Sequence, residues 1–102
     1  MDRTTDFYKL WGGDELLYVG ISYNAFYRFR QHMGKGWWFR ADYAQVYTYR
    51  TREAAEVSEA RSIRYDRPLY NIDPGKWSAR QADLDPVSLE VDYVEFPLEA
   101  VL

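Results

Sequence analysis

The sequence predicts a small α+β domain: a three-stranded mixed or antiparallel sheet flanked by helices, with a short acidic C-terminal extension forming an extra strand. Two strand-like runs, 6–11 and 16–21, bracket the turn signal Gly12-Gly13-Asp14-Glu15, which reads as a β-hairpin. Two segments with helix-start signals at Asn24 and Thr51 follow, separated by a third strand-like run at 44–50. Last, residues 88–96 alternate apolar and acidic side chains, the pattern of a half-buried strand.

Each element has a local reason. Phe7 and Tyr8 open the first strand, and Leu16, Leu17, Tyr18, Val19 and Ile21 supply the second. Antiparallel pairing brings Tyr8 near Tyr18. Gly20 releases the backbone at the strand's end, because glycine enters turn geometry freely and admits close neighbours. Asn24 caps a helix over 25–33 whose apolar stripe is Phe26, Phe29 and Met33, with Arg28 and His32 together on a flank away from it. Gly34-Lys35-Gly36 ends that helix. Trp37-Trp38-Phe39 then lies beside Lys35 and Arg40, either as a core plug under the sheet or as a stacking platform for an unpaired base.

Thr51 caps the second helix, about 52–65, with Glu53 favourably placed in its first turn. Ala54, Ala55, Ser58 and Ser62 gather on one side, small enough to bring the helix close to a sheet, and Glu59 at their margin is carried toward that sheet. Arg67-Pro68 stops the helix and 69–72 returns to the core. Asp73-Pro74-Gly75 divides the domain, 1–72, from the acidic extension, 73–102, which packs on it. There the stripe Leu89, Val91 and Tyr93 faces the domain, and Glu90, Asp92 and Glu95 face water and discourage further edge pairing.

Composition bounds the function. A chain of 102 residues makes one domain with a modest core. The absence of cysteine excludes a disulfide framework and thiolate metal sites. It also fits a cytoplasmic location, as does an N-terminus with no apolar signal region. No apolar run approaches the length needed to span a membrane. Net charge is −3, but it is unevenly placed. Residues 1–72 hold eleven basic and nine acidic side chains, a net of +2, whereas 73–102 hold two and seven, a net of −5. So slight a positive balance implies only weak, non-specific affinity for DNA.

Tyr18-Val19-Gly20 followed by Ser22, Asn24, Arg28 and His32 resembles the second motif region of the GIY-YIG nucleases. The first motif, Gly-Ile-Tyr in the family, stands here as Asp6-Phe7-Tyr8: the tyrosine is kept and the glycine is not. Glu59-Ala60-Arg61-Ser62-Ile63 and Pro68-Leu69-Tyr70-Asn71 resemble the family's metal-binding glutamate and closing asparagine, so the likeness runs over residues 6–72. It implies a Mg²⁺- (or Mn²⁺-) dependent endonuclease acting on DNA phosphodiesters. Glu59 would be the metal ligand, and Tyr8, Tyr18, Arg28, His32 and Glu59 the catalytic set. Arg28, Lys35, Arg40 and Asn71 would be the substrate-binding residues.

The residue types suit that chemistry. Phosphodiester hydrolysis needs a water nucleophile, a cation for the developing charge and support for the leaving oxygen. Magnesium keeps most of its waters and takes one or two carboxylates, so Glu59 suffices. Arg28 offers a planar fork to a phosphate. Tyrosine ionises near 10 and histidine near 6.5, so Tyr8 needs activation to serve as a base and His32 does not; the sequence leaves both open. Singly, each residue has an ordinary structural use, as strand packing, a solvated helix face, a helix-terminal cation or a turn; the nuclease reading rests on their joint spacing. Two rival readings are a catalytically weak nucleic-acid-binding module and a protein-interaction domain using the aromatic surface and acidic tail.

Overall fold

A computed structural model describes residues 3–71 and 84–101. It is an α+β domain whose single sheet has four strands, all antiparallel, in the order β2-β1-β3-β4. The strands are β1 (Thr5–Gly12), β2 (Glu15–Ser22), β3 (Tyr43–Tyr49) and β4 (Glu90–Pro97); the helices are α1 (Ala25–His32) and α2 (Arg52–Asp66). The extra strand expected of the extension joins the three of the domain in one sheet, so the sheet itself has four strands and not three: β4 pairs with β3, with Val46 opposite Val94 and Tyr47 opposite Tyr93. A mixed sheet is excluded by the same pairing. The boundary signal Asp73-Pro74-Gly75 lies outside the described residues. Among those residues, no helix is long and apolar enough to cross a membrane.

Strand alternation splits the core into two layers. Tyr8, Leu10, Ala44 and Val46 face Ala25 and Phe29 of α1, with Leu98 closing that layer. Phe7, Val19 and Tyr49 face Ala54 and Ala55 of α2. The small face expected of α2 is buried as read: Ala54, Ala55, Ser58 and Ser62 all lie inside, with Glu59 half-buried at their margin. Thr51 caps the helix by accepting from the Ala54 N–H at 3.1 Å, and Arg67, at φ 49°, ends it in the left-handed conformation.

Three expectations change. On α1 the buried line is Ala25, Phe29 and His32, while Phe26 and Met33 stay 45% and 50% exposed. The helix sits over Tyr8, and the position that meets its hydroxyl is occupied by the imidazole rather than by a methionine. On β4 Val91 and Tyr93 remain exposed, whereas Leu89, in a short 3-10 turn, Pro86–Leu89, is half-buried against the α2-side core as expected. Burial there falls otherwise on the chain's end, at Leu98 and more partially at Phe96, which stacks on Phe26 with ring centroids 5.5 Å apart. Gly20 is a strand residue paired with Tyr8, not a turn.

The outer edge of β2 is closed by the segment after α2. Leu69 and Tyr70 donate their N–H groups to the carbonyls of Leu16 and Leu17. Asn71 finishes the edge with its side chain: Oδ1 accepts from the Val19 N–H and Nδ2 donates to the Val19 carbonyl, both at 2.9 Å. One amide side chain thus satisfies both backbone groups of a strand residue, as another strand would.

Candidate active site

The site grows from the pairing of β1 with β2. Tyr8 lies opposite Gly20 and Leu10 opposite Tyr18, so the two tyrosines are diagonal neighbours on the α1 side, with ring centroids 6.3 Å apart. Gly20 makes room for this. A Cβ there would stand 2.5 Å from the Tyr8 hydroxyl oxygen and 2.7 Å from Cζ. Tyr8 cannot swing aside, because Phe29 meets its ring edge-on at 5.2 Å and Tyr18 lies beside it. Gly20→Ala is therefore expected to lower unfolding free energy by about 1–3 kcal/mol, the usual cost of overpacking. Urea denaturation checks this; unchanged stability would show that Tyr8 is not confined there.

Asp6, which stands where the resembled motif has glycine, has a structural use of its own. Its Oδ2 accepts the Ala25 N–H at 3.0 Å, at the start of α1, and its Oδ1 accepts the Thr48 hydroxyl at 2.8 Å. A carboxylate at a helix N-terminus satisfies an orphan donor and complements the helix dipole. With Asn24, whose side chain accepts from Tyr27 N–H, it fixes where α1 begins and hence where Arg28 and His32 stand. Nothing local in the sequence marks that bond, since its partners are 19 and 42 residues away.

His32 Nε2 and the Tyr8 hydroxyl are hydrogen-bonded at 2.7 Å, both groups buried. His32 Nδ1 is buried without a hydrogen-bond partner among the described residues. Burial, then the charges of Arg28 and Lys35, lowers the imidazole pKa to about 4. Burial also raises the Tyr8 pKa, helped by Tyr18 and Glu59 and opposed by Arg28. Tyr18 is raised likewise, first by burial and then by Glu59. At neutral pH the pair is a neutral phenol on a neutral imidazole. The tyrosine is thus shifted away from, not toward, the phenolate that a direct base role requires.

A cleft of about 570 Å³ opens over this pair, lined by Tyr18, Arg28, Gln31, His32, Lys35, Trp37, Leu69 and Tyr70. Tyr8 forms no part of its lining; it stands behind His32, fully buried. Arg28 is exposed at the rim and donates from Nη1 to Gln31 Oε1 at 2.9 Å. Glu59 comes from α2, which packs on the other layer, and is not among the residues lining the cleft; its charge helps raise the pKa of Tyr18 and, least of the causes, of Tyr8. Among the described residues no three His, Asp or Glu side chains group together as a metal cluster. A single half-buried carboxylate is a donor set that a largely hydrated Mg²⁺ can use, since that ion asks for only one or two from the protein.

The other sequence candidates divide. Lys35 lines the cleft. Arg40 does not: it donates from Nη1 to the Tyr70 hydroxyl at 2.7 Å, and its Nη2 pairs with Glu15 at 3.1 Å. It buttresses Tyr70 rather than offering itself to a substrate. Asn71 likewise spends its amide on Val19, so its work is closing the sheet edge. The aromatic run splits as well. Trp37 joins the cleft wall, Trp38 packs against the α1-side core, and Phe39 is 83% exposed. Gln31 and Tyr70 are cleft residues that sequence reasoning did not single out; for Gln31 the i,i+3 spacing from Arg28 was the available signal.

Comparison with protein-family models, curated proteins and solved structures returns no match.

Proposed function

We propose that the protein is a metal-dependent endonuclease of the GIY-YIG kind that hydrolyses DNA phosphodiester bonds. The observation that carries this reading is the convergence of Tyr18, Arg28, His32 and Lys35 on one cleft, with Tyr8 hydrogen-bonded behind the imidazole. Arg28 at the rim, steadied by Gln31, binds the scissile phosphate and stabilises its developing charge. His32, neutral at physiological pH, takes the attacking water's proton at Nδ1, the ring nitrogen without a partner among the described residues, while the bond between Nε2 and the Tyr8 hydroxyl fixes the orientation of its ring. Glu59 would hold Mg²⁺, or Mn²⁺, which when bound neutralises charge building on the phosphoryl oxygens. Tyr18 shapes the wall beside the imidazole, at 4.8 Å between ring centroids.

The test is nicking of supercoiled plasmid with Mg²⁺, with EDTA, and with an Arg28→Ala variant. Cleavage should require the metal, and the alanine variant should lose on the order of hundredfold or more in rate. Arg28→Lys should recover little, since an ammonium lacks the bidentate fork. Binding of DNA with no metal-dependent cutting would favour a nucleic-acid-binding module instead.

A further inference from the structure

The cleft has two unlike sides. One is aromatic and apolar: Tyr18 stacks on Trp37 at 5.2 Å and 17°, and Trp37 on Tyr70 at 5.8 Å and 14°, with Leu69 alongside. The other is cationic, carrying Arg28 and Lys35, with Gln31 accepting from Arg28. Arg40, itself paired with Glu15, donates to the Tyr70 hydroxyl from outside, so the aromatic wall is braced rather than loose. At about 570 Å³ the cleft falls within the range of sites that enclose a small organic ligand, about 300–1,000 Å³.

A continuous duplex presents sugars and phosphates to such a surface and keeps its base faces inside the helix. It would use the cations and leave the aromatic wall uncovered. An unpaired nucleotide uses both sides, its base against the wall and its phosphate on Arg28 and Lys35. From this asymmetry we infer that the cleft takes an unpaired nucleotide, so that the substrate class is single-stranded nucleic acid or a strand locally freed from its duplex. The inference rests on the nuclease reading for its place in a reaction, but binding alone tests it.

The experiment is fluorescence anisotropy in EDTA, where nothing is cut, with labelled oligo-dT, oligo-rU and a blunt duplex of equal length. Single strands should bind about tenfold or more tighter than the duplex, and the dT and rU arms show whether deoxyribose or ribose is preferred. Trp37→Leu keeps an apolar side chain but removes the indole. It should weaken single-strand binding on the order of tenfold and leave duplex binding nearly unchanged. Lys35→Ala should instead flatten the salt dependence for single strands, by a slope of about 0.7 for one phosphate contact, a change Trp37→Leu should not cause. Quenching of wild-type tryptophan emission by oligo-dT provides a measurement that needs no variant.

Equal or tighter duplex binding overturns the inference, as does a folded Trp37→Leu protein that binds single strands like wild type, or the absence of quenching. If metal-dependent nicking persists in that case, only the unpaired-nucleotide assignment falls. If no probe binds and no plasmid is nicked, the nuclease reading falls with it.

Discussion

Glu59→Ala is expected to abolish Mg²⁺-dependent cleavage while leaving the fold standing. Position 59 is half-buried on α2 between Ser58 and Ala60, in a helix whose buried residues are alanine and serine apart from Val57. Alanine is the strongest helix former, so the backbone should accept the change. What disappears is the carboxylate whose charge is felt at the Tyr8 and Tyr18 hydroxyls. A readout independent of metal follows. That carboxylate raises both tyrosine pKa values, so its removal should let the more accessible Tyr18 ionise at lower pH. Spectrophotometric titration of tyrosinate absorbance tests this, alongside plasmid nicking and a circular-dichroism melt. A folded variant that cuts at the wild-type rate would remove Glu59 from the site. An unmoved tyrosine titration would show that its charge does not reach Tyr18.

How much of this was legible in the sequence differs by element. The hairpin, both caps, the small face of α2 and the Tyr8–Tyr18 neighbourhood follow from local rules, and the fold obeys them. Local chemistry decided each one: a glycine turn, an Asn24 or Thr51 oxygen, a period of two or of 3.6. The face that α1 buries was not legible. Phe26, Phe29 and Met33 are equally apolar, and a histidine reads as polar until its partner is known. Tyr8 lies 24 residues from His32, and only the pairing of β1 with β2 and the docking of α1 bring them together. The same limit applies to Arg40, whose partners Glu15 and Tyr70 are distant in sequence, and to Asp6 at the start of α1. For β4 the alternation was real but its meaning was not. An edge strand can alternate while both faces stay open, and its anchoring fell to Leu89 at one end and to Phe96 and Leu98 at the other.

The Tyr8–His32 pair yields the prediction in which chemistry and stability can be read together. An unfolded histidine takes its proton near 6.5, whereas burial, Arg28 and Lys35 hold His32 at about 4. Between those values the unfolded chain binds more protons than the folded one, so acidification favours unfolding. The stability tied to the neutral imidazole is present in full above about 6.5 and is lost as pH falls toward 4. Its size is on the order of 2 kcal/mol once partial solvent screening of the two cations is allowed for. His32→Gln removes the titrating group, so that acid limb should vanish from a plot of urea midpoint against pH. If His32 also takes the water proton, His32→Gln should cost about 10²–10⁴ in rate. The wild-type rate should then hold its level through pH 6.5 and fall only as pH nears 4, in contrast with an exposed histidine base. Tyr8→Phe leaves the imidazole Nε2 buried without its partner, at a cost of about 1–3 kcal/mol, yet it should retain more activity than His32→Gln. Matching pH–rate profiles for wild type and His32→Gln would transfer the base role to Tyr8. A wild-type acid limb centred near 6.5 would show that the imidazole is open to solvent and that the buried pair is wrong.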